Sequence, residues 1–287
     1  MTAPAEAIAD AFEAACRDEL EAPKPGNVHL FAAGHRMTAG EFVRSAEAAA
    51  GPLSLPGARV GARILGAVEA TLAAVGTNTN LGIILLCAPL AAAAEGGAPD
   101  LRACLAQVLD ALDVEDAALA FRAIARAAPA GLGRAERHDV FAPATVTLKA
   151  AMAEAAQRDR IARQYVSAFA DVFERGEPAL ATALSCSDDR AWATLALYLE
   201  FLGAFPDSHV VRKHGLAEAR EVCRTALGFQ ARMASGEGRA ALLPDLLAWD
   251  ALLKTQGINP GTSADLTVAT LFAHRLRTIL PSARNSD

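Results

Sequence analysis

The segment Leu81–Ala94, LGIILLCAPLAAAA, runs for 14 residues without a charged side chain. A bilayer span takes about 20 apolar residues, and Pro89 interrupts this run. A surface helix keeps a polar face, and this segment has none. It therefore predicts a core helix that other helices must surround. The remainder of the chain can supply them. Hydrophobic residues make up 53% of the 287 and aromatic residues 5%, so the apolar content is mostly Ala, Leu and Val. Ala and Leu lose little entropy in a helix, and the β-branched and aromatic alternation that marks strands is sparse.

Apolar periodicity predicts helices at about 5–20, 39–50, 57–75, 80–95, 100–111, 114–127, 143–174, 177–186, 189–203, 209–234, 239–255 and 263–280. Start signals agree at several of them. Thr38-Ala-Gly-Glu41 and Thr262-Ser-Ala-Asp265 have capping-box spacing, and Asp113 is placed to cap the next helix. No internal repeat or low-complexity linker divides the chain. The expectation is an all-α fold: one compact multi-helix bundle over residues 1–287, with a ligand site formed by the breaks between helices.

A net charge of −6 leaves no basic face for nucleic acid. No segment reads as a membrane span. The five cysteines stand singly, without a CxxC pair, which fits neither a disulfide framework nor a zinc site. The opening residues carry acids and no basic stretch, unlike a secretory signal. A reducing, cytoplasmic setting is expected, with small-molecule nucleotide substrates as partners and a homodimer as a possible assembly.

The polar residues do not fit a plain bundle. They cluster in five short Gly- or Pro-containing breaks: PKPGNVHLF (23–31), VGTNTNLG (75–82), GLGRAERHDV (131–140), FPDSHVVRKHG (205–215) and INPGTSADL (258–266). Prolines stiffen the first around Lys24, which suits a phosphate contact; Asn27 and His29 follow. The second offers Asn78, Thr79 and Asn80 at a helix start, where N–H groups and the dipole favour anions. Glu69 stands two turns earlier on the preceding helix. The third pairs His138 with Asp139, beside Gly131, Arg134 and Glu136. The fourth holds Asp207, His209, Arg212 and Lys213, an acid followed by cations, as a polyanion with Mg²⁺ would require. The fifth brings Asn259, Thr262, Ser263 and Asp265. Each group also fits a plain role as a cap, turn or solvated charge; it is their number that points to a site.

The order PKPGNVH, GTNTNLG, PDSHVVRKHG and NPGTSADL resembles the triphosphoribosyl-dephospho-coenzyme A synthases of citrate lyase and malonate decarboxylase systems. The resemblance spans about residues 10–275. It implies an all-α enzyme that joins ATP to the ribose 2′-hydroxyl of 3′-dephospho-coenzyme A and releases adenine. On this resemblance Lys24, Arg212 and Lys213 would hold phosphates, and Asp207 and Asp265 would bind Mg²⁺. Asn27, His29, Asn78, Thr79, Asn80, Asn259, Thr262 and Ser263 would line the substrate. His209, Asp139 and Glu69 would serve the proton or the developing charge. Where such synthases read N-T-H-K-G, this chain has Asn78-Thr79-Asn80-Leu81-Gly82. In that respect it is similar to relatives in methanogens and in bacteria using methanogen-type one-carbon cofactors, which leaves three alternatives beside the first reading. One is a related enzyme of methanopterin- or methanofuran-type cofactor assembly with another acceptor. The others are a non-catalytic nucleotide-binding assembly partner and a ribosyl hydrolase.

Overall fold

The computed structural model describes residues 3–30, 38–129, 133 and 137–280. Among these, fourteen α-helices follow one another: α1 (Ala5–Glu21), α2 (Ala39–Leu53), α3 (Val60–Val75), α4 (Leu81–Glu95), α5 (Leu101–Ala111), α6 (Val114–Ala127), α7 (Leu148–Ala155), α8 (Arg160–Val166), α9 (Glu177–Cys186), α10 (Arg190–Ala204), α11 (Ser208–His214), α12 (Leu216–Ala234), α13 (Arg239–Thr255) and α14 (Gly261–Ile279). A π-helical segment, Asp171–Gly176, lies between α8 and α9. The fold is all-α, as the composition demanded.

The apolar run becomes α4, buried at every position except Gly82, Ala92 and Glu95. Pro89 sits inside this helix and has no N–H to give the Leu85 carbonyl. The buried Tyr165 hydroxyl donates to that carbonyl at 2.7 Å, so a residue of α8 completes the α4 ladder. Helix α14 is the second central element. It packs against α1, α4, α10, α11 and the π-helical segment. Two apolar clusters meet at α10 and α14. One surrounds α4 and takes Leu197 and Phe201 from α10. The other takes Leu195, Tyr198, Leu199 and Leu202 from the same helix, with Ala264 of α14 and residues of α12 and α13.

Two predicted long helices are broken. The 143–174 stretch divides into α7, α8 and the π-helical segment. Asp159 restarts the chain by accepting from the Ala162 N–H at 3.0 Å, and Ala168 and Phe169 then take left-handed φ values of 46° and 56°. Periodicity runs through such breaks because the apolar phase on either side is similar. The 209–234 stretch breaks at Gly215, whose φ of 88° suits only glycine. The Thr38–Glu41 capping box forms, and Asp113 caps α6 in a box with Asp116. The Thr262–Asp265 box does not form. Helix α14 starts two residues early, at Gly261, and no side chain of its own caps it.

Candidate functional site

The missing cap of α14 arrives from the fourth break. Asp207 is 1% exposed. One of its oxygens accepts from the N–H groups of His209 and Val210, at 2.8 and 3.2 Å, and so caps α11. The other accepts from the Ser263 N–H at 2.7 Å and the Ser263 hydroxyl at 2.8 Å, and so caps α14. Burial pushes this carboxyl upward in pKa, and the four donors pull it back toward the ionised form. Expected as a metal ligand, Asp207 clamps two helix starts together, each of its oxygens accepting two hydrogen bonds.

Other breaks close around the same point. Gly26 has a φ of 81°, and a methyl group there would meet Pro260 and Leu253. The first break can therefore lie flat on the fifth. The Asn27 amide donates to Asn259 Oδ1 at 2.9 Å, the Gly26 N–H to Asp250 at 2.8 Å, and the Tyr198 hydroxyl to the Pro25 carbonyl at 2.7 Å. The His209 ring rests on Gly261, where a methyl group would meet its Nδ1. The start of α8 joins them: the Arg160 N–H donates to Ser208 Oγ at 2.9 Å, and Arg212 lies 3.6 Å from Asp159. Thr262 is buried within the first turn of α14.

Asp265 lies two residues beyond Ser263, on the other side of α14, and lacks the hydrogen bonds that hold Asp207. It is half-buried. No hydrogen bond holds its carboxylate among the described residues. It presses against the first turn of α4 at Gly82, where a methyl group would overlap the carboxylate. Burial raises its pKa well above the usual carboxylate range. The negative charges of Asp207, Glu19 and Asp159 add to that, and Arg212 opposes it. An acid buried there without a hydrogen bond among the described residues is costly to keep charged unless a cation joins it. Lys213, exposed at the end of α11, has no ion pair among the described residues and follows Arg212 in sequence.

Several expected ligands have other tasks. Lys24 is fully buried; its Nζ donates to the Glu19 and Val28 carbonyls at 2.7 and 2.8 Å and lies 3.1 Å from the Glu19 carboxylate. It ties the KPGN turn to α1 rather than offering itself to a phosphate. Burial lowers its pKa, against the opposing pull of Glu19. His29 is buried 3.2 Å from Asp250, which also holds Lys254 at 2.9 Å. Asn78 accepts from the Leu81 N–H at 3.1 Å and caps α4. Thr79 donates to Ser45 Oγ at 2.6 Å and the Asn80 amide to the Ser45 carbonyl at 3.4 Å, so both moor α2. Glu69 is drawn to Arg126 at 2.5 Å on the exposed faces of α3 and α6. It does not turn toward the end of α3, because a cation of the neighbouring helix is within reach. Asp139 accepts from the Phe141 N–H at 2.9 Å inside its own turn; Gly131, Arg134 and Glu136 lie outside the described residues. Thus the first, fourth and fifth breaks and the start of α4 converge, while Glu69 does not join them. Asp159, Gly82 and Asp250 were missed. Asp159 had a signal, an acid just before renewed apolar periodicity, but it stood inside a stretch read as one helix.

Among the described residues, no three His, Cys, Asp or Glu side chains gather as a ready metal cage. The carboxylates present suit a different arrangement. Mg²⁺ is commonly held by one or two carboxylates together with substrate phosphates, and Asp265, with no hydrogen bond among the described residues, could supply such a carboxylate.

Among the described residues the protein is all-α, and its first, fourth and fifth polar breaks meet at the starts of α11 and α14. Residues 5–283 match the sequence model of the ATP:dephospho-CoA triphosphoribosyl transferase family, so the chain belongs to that family of transferases. A crystal structure from Archaeoglobus fulgidus, provisionally described as a triphosphoribosyl-dephospho-coA synthase, is similar in fold. The TM-score is 0.64 at 24% identity, covering 80% of this chain and 95% of that one. No curated protein sequence matches. No described helix is long and apolar enough to cross a membrane.

Proposed function

We propose that this transferase joins the triphosphoribosyl part of ATP to the hydroxyl of a nucleotide-like acceptor and releases adenine. The observation that carries the reading is Asp265: a half-buried carboxylate with no hydrogen bond among the described residues, packed on the α4 start through Gly82, with Arg212 close enough to act on its charge. Asp265 would hold the Mg²⁺ that travels with the triphosphate. That ion supplies charge neutralisation on the phosphate oxygens. Arg212 and Lys213 would neutralise the remaining phosphate charge, and the α4 dipole would favour it.

At the anomeric carbon, the bond to the adenine nitrogen breaks and a bond to the acceptor oxygen forms. Positive charge grows on the ribose as the base departs, as in glycoside cleavage. The acceptor hydroxyl loses a proton and adenine gains one. His209, seated on Gly261 at the α14 start, is the group we assign to that proton. The clamp at Asp207 keeps α11 and α14 in register, so His209, Arg212 and Asp265 keep their relative positions.

One observation favours a second reading, the same chemistry on another acceptor. At the positions of the synthases' histidine and lysine, Asn80 is tied to Ser45 and Leu81 is buried at 8% exposure. This region cannot present the same cation to dephospho-coenzyme A. Incubation with ATP, Mg²⁺ and dephospho-coenzyme A, with free adenine as the readout, separates the cases. Adenine that requires dephospho-coenzyme A supports the first reading. Adenine that requires a pterin- or furan-type one-carbon acceptor supports the second. Adenine released without any acceptor, or none with either, contradicts a transferase.

A further inference from the structure

A groove of about 880 Å³ opens along α8, the helix whose start contacts this site, and takes no part in the chemistry described above. Ligand clefts range over roughly 300–1,000 Å³. It runs between α8, the π-helical segment, α9, α10 and α12. Its floor is small and apolar, with Ala179, Ala183 and Met233 among the lining residues, and Arg163 stands at its rim.

Three features connect it to the transfer site. Asp159 and Arg163 are four residues apart and share one face across the start of α8. The first lies 3.6 Å from Arg212 in the site; the second lines the groove. At 1.5 Å per residue, they are separated by about 6 Å along the helix. The charges along the groove are otherwise matched in pairs: Asp171 with Arg160 at 2.6 Å, Glu174 with Arg102 at 2.5 Å, and Glu200 with Arg175 at 2.6 Å. Arg163 has no ion pair among the described residues, so the groove carries one unmatched positive charge, on the helix whose start reaches Arg212 through Asp159. The backbone beneath it is shaped at a cost. Ala168 and Phe169 are consecutive non-glycine residues with positive φ, and the π-helical segment follows directly. Gln164 holds this turn together by donating to Asp171 at 2.5 Å and accepting from its N–H at 3.2 Å. Strained backbone and π-turns of this kind collect at functional sites.

We propose that this groove receives the acceptor: Arg163 takes an anionic phosphate of the acceptor, and an uncharged, amide-bearing aliphatic arm lies along Ala179, Ala183 and Met233. The assignment rests on the transferase reading for the identity of its occupant. An arm of that chemistry matches a floor of small side chains with polar rims, and a phosphate matches a lone guanidinium.

The test uses the full chain and two probes. 4′-Phosphopantetheine carries the phosphate and the amide arm without a nucleoside, and its binding is read by calorimetry, independently of turnover. Dephospho-coenzyme A is followed by steady-state kinetics. Arg163→Glu should weaken 4′-phosphopantetheine binding roughly 10- to 100-fold, the range of one charge-assisted contact. Ala183→Trp, which fills an open groove and leaves the core intact, should weaken it as well. Both should raise the KM for dephospho-coenzyme A while the KM for ATP stays within about twofold. If wild-type protein does not bind 4′-phosphopantetheine, or binds it equally after both substitutions, the proposal is overturned. Binding by wild type with loss in both variants, but without adenine release, supports the groove and overturns the transferase reading. Adenine release with another acceptor and no binding of the probe does the reverse.

Discussion

Replacing Asp207 by Asn removes one charge and changes one oxygen into an amide nitrogen. Whichever way the new side chain turns, one helix start keeps its acceptor and the other faces an NH₂ group. If the oxygen stays with His209 and Val210, the Ser263 N–H loses its 2.7 Å partner. The Ser263 hydroxyl can rotate and accept from the amide, but a backbone N–H cannot. The lost cap of α14 and the Ser263 N–H left without an acceptor are one loss, which costs about 1–3 kcal/mol. In a chain of this size each kcal/mol moves Tm by roughly 2–4 °C, so Asp207→Asn should melt roughly 2–12 °C below wild type by calorimetry. Activity should fall because Asp265 and His209 are no longer held in register. Restoring the melting temperature with an unrelated stabilising substitution should not restore turnover. A variant that melts like wild type yet has lost Mg²⁺-dependent turnover would refute the clamp and return Asp207 to the role of metal ligand.

Asp265→Asn should act in the opposite direction on stability. The folded-state pKa of Asp265 is raised, so its contribution is fully present below the unfolded carboxylate value and is lost as pH rises through the folded value. The variant should therefore match wild type near pH 4, be more stable at pH 8 by about 0.5–2 kcal/mol, and lack turnover; equal melting at both pH values would contradict an unpaired acid. In wild type, Mg²⁺-dependent nucleotide binding should weaken as pH falls through that raised pKa and release a proton on binding, measurable by calorimetry in buffers of different ionisation enthalpy. Gly82→Ala places a methyl group on the Asp265 carboxylate and should reduce activity at least about tenfold; the ordinary helix gain of about 0.5–1 kcal/mol with full activity would contradict that contact. Tyr165→Phe leaves the Leu85 carbonyl without a donor and should cost about 1–3 kcal/mol with kcat unchanged; an unaltered Tm would show that the Pro89 gap is filled otherwise.

The fold was readable because its drivers are local. A charge-free run such as Leu81–Ala94 must be buried, and Ala and Leu bury most readily as helix. The breaks at Asp159, Ala168 and Gly215 escaped because apolar phase continues across them while backbone geometry does not. The site was readable as a set of turns, and their convergence held for the first, fourth and fifth. Individual roles were less legible because they depend on neighbours distant in sequence. Lys24 reads as a phosphate ligand until Glu19 is seen beside it, and Glu69 as a catalytic carboxylate until Arg126 is. Thr262–Asp265 reads as a capping box until Asp207, 56 residues before Ser263, supplies the cap from outside. That outside cap is what leaves Asp265 without a hydrogen bond among the described residues.

The central claim is that Asp265, set on the α4 start, serves transfer of a triphosphoribosyl group. Its most direct measurement is acceptor-dependent adenine release from ATP and Mg²⁺ by wild type and by Asp265→Asn, with both proteins shown to be folded by their melting curves. The account predicts adenine only when acceptor is present, and a loss of roughly 100-fold or more in the variant despite a higher melting temperature at pH 8. Turnover in Asp265→Asn near the wild-type rate would contradict it.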